Sequence, residues 1–164
     1  MATFHFKGLE EYEKMLSNLS SISAVRAICG EVIYAGADIV ADAVREAIDS
    51  LPVIDHRTHG TSANQLQGIT SAQKKGLQEG FGITPMGEDN GVYNVKLGFD
   101  GYNSVKTAAY PQGQPNALIA RSVNSGTSFR KKTQFVDKAA RAAKAPAEKA
   151  MAETFDKKLE EAMK

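Results

Sequence analysis

The chain has 164 residues, of which 42% are hydrophobic and 24% charged, enough for one domain with a normal core and unlike a disordered composition. No stretch approaches the ~20 consecutive apolar residues of a membrane span, and the single cysteine, Cys29, excludes an intramolecular disulfide. The start, MATFHFKGLEEYEK, is charged throughout, so no signal peptide is expected and the reading is an intracellular, reduced protein.

The formal net charge of +1 names no partner, but its distribution is uneven. Residues 1–60 carry five basic and nine acidic side chains, residues 61–116 four of each, residues 117–145 seven basic and one acidic, and residues 146–164 four basic and five acidic. A cationic segment with an acidic opposite end suits head-to-tail association or a surface facing an anion.

Phe4 and Phe6 alternate with His5 and Lys7, which suits an extended N-terminal arm over residues 1–8. Leu9, Tyr12, Leu16 and Leu19 recur at helical spacing and predict a short amphipathic helix. Ala24 to about Ser50 carries the strongest periodicity, with Val25, Ile28, Val32, Ile39, Val40, Val44 and Ile48 on one face, and predicts one long helix stopped by Leu51-Pro52. Gly36 lies on that apolar stripe, so its cost of roughly 1 kcal/mol relative to alanine implies a close-packing contact.

Residues 53–70 are polar and aperiodic and are read as a loop. Ser71 to Glu79 reads as a helix capped by Thr70 or Ser71 and ended by Gly80. Phe81 to Pro85 and Val92 to Phe99 form a predicted hairpin around the turn signal at residues 87–91, with Tyr93, Val95, Leu97 and Phe99 on the buried face. Residues 100–116 form a long aperiodic loop, of a length that in compact domains is usually functional or disordered. Ala117 to Val123 is read as a third strand, turning at Ser125-Gly126-Thr127 into an exposed cationic connector. Phe135 then opens an alanine-rich C-terminal helix, and Pro146 inside it predicts a kink or break near Ala145. The expected fold is α+β, an antiparallel sheet of three to four strands packed against a long central helix and a C-terminal helix. It forms a single domain over residues 1–164, with a helical part at 9–52, the sheet and its loops at 53–134 and the terminal helix at 135–164.

Catalytic signatures are weak. Asp55, His56 and His59 suggest ligands, but the His-x2-His spacing recurs by chance, no further ligand is set nearby and the loop is polar, so no metal is assigned. Ser71 to Lys74 and Ser128 to Lys131 match Ser-x-x-Lys, and the first is explained by helix capping. Gly80-Phe81-Gly82 lacks the remaining residues of a phosphate loop. An enzyme is disfavoured and no cofactor is expected. The cationic segment Arg121 to Lys144 has few aromatics for base stacking, which favours a protein partner over nucleic acid.

One ordered set of residues resembles a known family. The long helix ends in Leu51-Pro52-Val53, and a strand runs from Val92 to Asp100. Then follow Leu118-Ile119-Ala120, the turn Ser125 to Ser128, a short basic stretch, Phe135 and an alanine-rich terminal helix. From about Leu9 to Met163 this is similar to the minor tail-component family of long-tailed double-stranded DNA bacteriophages, the tail-completion or head–tail joining proteins. Residues 68–86 and 100–116 resemble the branch of phages and prophages of Gram-positive bacteria. Many relatives carry Glu-Phe-Gly-Thr where this chain has Asn124-Ser125-Gly126-Thr127. The resemblance implies a virion structural protein without catalytic residues, assembled in the host cytoplasm into the tail and neck. It implies a homo-oligomeric ring of roughly six copies, twelve being the alternative, between a head-closure connector protein and the tail terminator and tail tube proteins. DNA would pass through its lumen, and no membrane is involved. Ser125, Gly126, Thr127, Phe129, Arg130, Lys131, Lys132 and Phe135 are the expected subunit-interface residues. The alternatives are a tail terminator ring capping the tail tube, and a small DNA-binding protein using residues 121–144.

Overall fold

The computed structural model describes residues 21–56 and 59–162; the expected arm over residues 1–8 and the helix over 9–19 lie outside the described residues. Eight elements follow in order: α1 (Ile22–Asp49), α2 (Ser71–Gly80), β1 (Phe81–Ile83), β2 (Gly87–Asp89), β3 (Val92–Asn94), β4 (Leu97–Phe99), α3 (Asn116–Ser125) and α4 (Phe135–Ala162). The fold is α+β, with the long α1 and α4 packed together.

The long helix begins where the serine cluster supplies a cap, the Ser21 hydroxyl accepting from the Ala24 N–H at 3.2 Å. Ala37, Ala41, Val44 and Ile48 are buried at spacings of four, three and four, the inner stripe of one helix face. Helix α4 runs antiparallel to it, since Glu31 pairs with Lys158 while Gly36 lies against Ala147 and Met151. A Cβ on Gly36 would stand 2.6 Å from both Cγ and Sδ of Met151 and 3.5 Å from the Ala147 carbonyl oxygen, so the glycine is a packing requirement. Helix α4 is continuous through Pro146, which is exposed, so the expected break does not occur. Its buried positions are Phe135, Ala143 and Ala147.

The C-terminal half of the same stripe reaches the main core, where Val44, Ile48, Leu51, Ile69, Leu77, Phe81, Ile119, Val123 and Phe135 meet. Helix α2 starts with a capping box between Thr70 and Gln73. It docks on the C-terminal end of α1 through Lys74, whose ammonium donates to the carbonyls of Asp49 and Leu51 at 2.6 and 3.1 Å.

The expected sheet is instead two separate two-stranded ribbons, β1 with β4 and β2 with β3, both antiparallel. They are halves of one interrupted hairpin. Phe81 faces Phe99 and Ile83 faces Leu97, but Gly87 faces Asn94, so three residues on one arm oppose two on the other. Pro85 sits in the longer arm and has no N–H to give the ladder. The hydroxyl of Tyr34, on α1, accepts from the Met86 N–H at 2.8 Å and donates to the Thr84 carbonyl at 3.3 Å. Asn90 and Gly91, with φ of 51° and 79°, make the two-residue turn.

The segment read as a third strand, Ala117 to Val123, is helical. Asn116, Ile119, Ala120 and Val123 are its buried positions, a spacing that fits a helix and not a strand. Ile119 and Val123 satisfy either period, and only Asn116 and Ala120 distinguish them. Pro115 and Gly126 bracket the helix, a pairing typical of a helix between two stops.

Substitution of the two α1 glycines separates propensity from packing. Gly30→Ala places its Cβ 3.6 Å from the Met86 sulfur, an ordinary contact, and should stabilise by up to about 1 kcal/mol. Gly36→Leu should destabilise by about 1–3 kcal/mol through overpacking against Met151, both changes being read from urea unfolding midpoints.

Candidate interaction surface

The connector between α3 and α4 is closed at its base by backbone pairing. The N–H groups of Thr133 and Gln134 donate to the carbonyls of Val123 and Asn124, both at 3.0 Å. The Asn124 side chain then caps the next helix. Its Oδ1 accepts from the Val136 N–H at 3.0 Å, and its Nδ2 donates to the Asp137 carboxylate at 3.0 Å. One residue at the end of α3 therefore fixes the start of α4.

The excursion between these points is equally constrained. Gly126 takes φ of 79°, and an added Cβ would come within 3.1 Å of three Lys132 atoms, so two independent conditions demand glycine there. Thr127 and Arg130 exchange backbone hydrogen bonds at 2.9 and 3.3 Å, closing a tight reverse turn with Ser128 and Phe129 at its tip. Leu66 straps the outer side: its N–H donates to the Phe129 carbonyl and its carbonyl accepts from the Lys131 N–H, each at 2.9 Å. The Gln65 side chain adds bonds to the carbonyls of Thr127 and Ser128. Residues 59–70 are thus a structured loop with Leu66, Gly68 and Ile69 buried, and not only the polar segment that their composition suggests.

The eight expected interface residues fall into three groups by exposure. Phe135 is buried, stacked at a tilt 6.3 Å from Phe99, which itself lies 5.0 Å from Phe81. Arg130 is only 5% exposed, so the cationic run is not wholly on the surface. Its guanidinium donates to the Gly68 carbonyl through Nη1, and Nε is buried without a partner. Gly126 and Thr127 are half-buried, while Ser125, Phe129, Lys131 and Lys132 face outward, Phe129 at 43% exposure. Sequence reasoning missed Leu66, Gln65 and Asn124. Nothing in local periodicity marks them, because their partners lie in other segments or on backbone groups.

Asp55 has a local task. Its carboxylate accepts from the Ser71 N–H at 2.7 Å at the start of α2, and that bond holds its pKa below the ordinary 3.8. Among the described residues no three metal-ligating side chains cluster, and no helix is long and apolar enough to cross a membrane. No known protein family, curated protein or solved structure matches the chain.

Asn124→Ala should cost about 1–2 kcal/mol in a denaturant titration, since it removes the cap from α4. The Asp55 contribution is complete above the unfolded value of 3.8 and is lost as the pH falls through the lower folded value. The stability difference between the native chain and Asp55→Asn should therefore shrink below about pH 4, as measured by acid unfolding.

Proposed function

We propose that the protein is a non-enzymatic structural component of a bacteriophage neck. In this reading it forms a ring at the head-proximal end of the tail, completing the tail and joining it to the head. The observation that carries this reading is the tip of the connector. A rigidly strapped turn presents Phe129 outward between Ser128 and the exposed Lys131 and Lys132. An exposed aromatic held on an ordered backbone and rimmed by cations has the composition of a protein-contact hot spot, because little side-chain entropy is lost when it docks. The acidic surplus of residues 1–60 supplies a complementary charge for a neighbouring copy. Contacts between different patches of successive copies close into a ring when the rotation permits. The family resemblance in the connector and terminal helix adds the setting.

A second reading, DNA binding, draws on the six exposed cations Arg121, Lys131, Lys132, Lys138, Arg141 and Lys144. Titration against duplex DNA at two salt concentrations separates the two. Phosphate contacts lose affinity steeply with salt, and weak binding with a shallow slope would rule them out.

The neck reading predicts that native mass spectrometry of the chain, with the proteins encoded beside it, yields ring-sized assemblies. Phe129→Ser with Lys132→Glu should abolish those assemblies while shifting the unfolding midpoint little, both side chains being exposed. A chain that stays monomeric with every neck partner contradicts the proposal. A phage lacking the gene should give normal-length tails detached from filled heads; overlong tails would instead assign the terminator role.

A further inference from the structure

A pocket of about 380 Å³ opens between the 53–70 loop, the start of α2 and the 100–116 loop, with Arg130 in its wall. Three observations give it a chemical character. First, the Arg130 guanidinium is in the protein interior with one described hydrogen bond, to the Gly68 carbonyl, and with Nε unpartnered. Burial pushes its pKa down, yet a guanidinium stays protonated, so a positive charge is held where solvent screening is poor. No carboxylate of the described residues pairs with it. Second, the polar lining is rich in donors. Lys106 and Gln114 join Arg130, no acidic side chain is among the described lining residues, and nearby Asp55 is engaged at the start of α2. Gln114 uses its Oε1 to accept from Gln73, which leaves its amide hydrogens for a ligand. Third, the remaining wall is apolar, from Leu66, Ile69 and Val105.

An unpaired buried cation is costly unless an anion joins it. A guanidinium with one nitrogen committed to a carbonyl keeps further N–H donors, which suit the oxygens of a carboxylate. The volume is that of a small-ligand site, and the apolar wall suits a hydrocarbon body behind the charged head. We propose that this pocket binds a carboxylate carrying an apolar body, with Arg130 as the anchoring residue and Lys106 at the rim. The inference does not rest on the neck reading. The carboxylate could belong to a free aliphatic acid or to the last residue of a protein chain; both present the same head group.

The test is ligand titration of the full chain followed by NMR shifts and thermal unfolding. The probes are hexanoate, hexanamide, a tripeptide ending in leucine, its C-terminal amide and inorganic phosphate, at matched ionic strength. Hexanoate or the free tripeptide should raise the unfolding midpoint in a saturable way, and neither amide should. Response to hexanoate alone identifies a free acid, and response to the tripeptide alone identifies a chain terminus. Arg130→Met should lower carboxylate affinity at least tenfold while raising the ligand-free unfolding midpoint, because it replaces a buried unpaired charge with an apolar chain of similar length. A purely structural arginine would give the opposite shift, a lower midpoint, and would overturn the assignment. Should Arg130→Met not fold, Lys106→Ala on the exposed rim should still weaken binding severalfold. No saturable carboxylate response in the native chain, or equal responses to phosphate, would also overturn it.

Discussion

The structure depends on how closely α1 and α4 approach. Gly36 allows the Met151 side chain and the Ala147 carbonyl to lie where a side chain would otherwise stand. Ala37 and Ala41 of α1 and Ala143 and Ala147 of α4 are buried. Small residues lower the height of both surfaces, so dispersion contacts run along the backbone and not only between side-chain tips. The far end of the pair is held by Lys158. Its ammonium lies 2.7 Å from Glu31 and 3.0 Å from Glu161, bonds that raise its pKa. Pairs whose carboxylates are open to solvent add little, and the seam itself carries the association.

With that seam in place, the C-terminal half of α1 organises the main core. Val44 and Ile48 receive the hairpin, α2 and α3, and Tyr34 supplies the hydrogen bonds that the hairpin loses at Pro85. Gly76 and Gly80 on α2 admit the 100–116 loop. A Cβ on Gly76 would meet Asn103 and Asn116 at 2.5 Å, so this long loop is packed against a helix built to receive it. Its folded-back course, with the Asn103 N–H donating to the Gln114 carbonyl at 2.9 Å, also forms one wall of the Arg130 pocket.

The connector follows from the placement of α3 against α4. Two helices that meet end to start leave the intervening residues only a closed excursion, and Leu66 straps that excursion from outside. Successive residues of a tight turn point in different directions, so three neighbouring cations have different fates. Lys131 and Lys132 reach solvent; Arg130 turns inward to the Gly68 carbonyl. The surface available to a partner is therefore smaller and more apolar than the charge run suggests, with Phe129 at its centre.

Much of the fold was legible from periodicity and punctuation. The long helix, the Thr70 cap, the Asn90-Gly91 turn, the alternation over Tyr93 to Phe99 and the role of Gly36 each follow from local rules. The third strand was misread because Ile119 and Val123 fit two periods, and the single sheet because an extra residue beside Pro85 splits the ladder. Of the site, the sequence by itself determined the cationic character of residues 121–144 and the turn at Ser125-Gly126-Thr127. Only the tertiary structure decided which cation is buried, which aromatic is exposed and where Leu66, Gln65 and Asn124 attach. The reason is physical. Spacing along a chain reports which face a residue shares with its near neighbours, whereas burial and hydrogen bonding across some sixty residues, such as Arg130 to Gly68, depend on what other segments bring to that face.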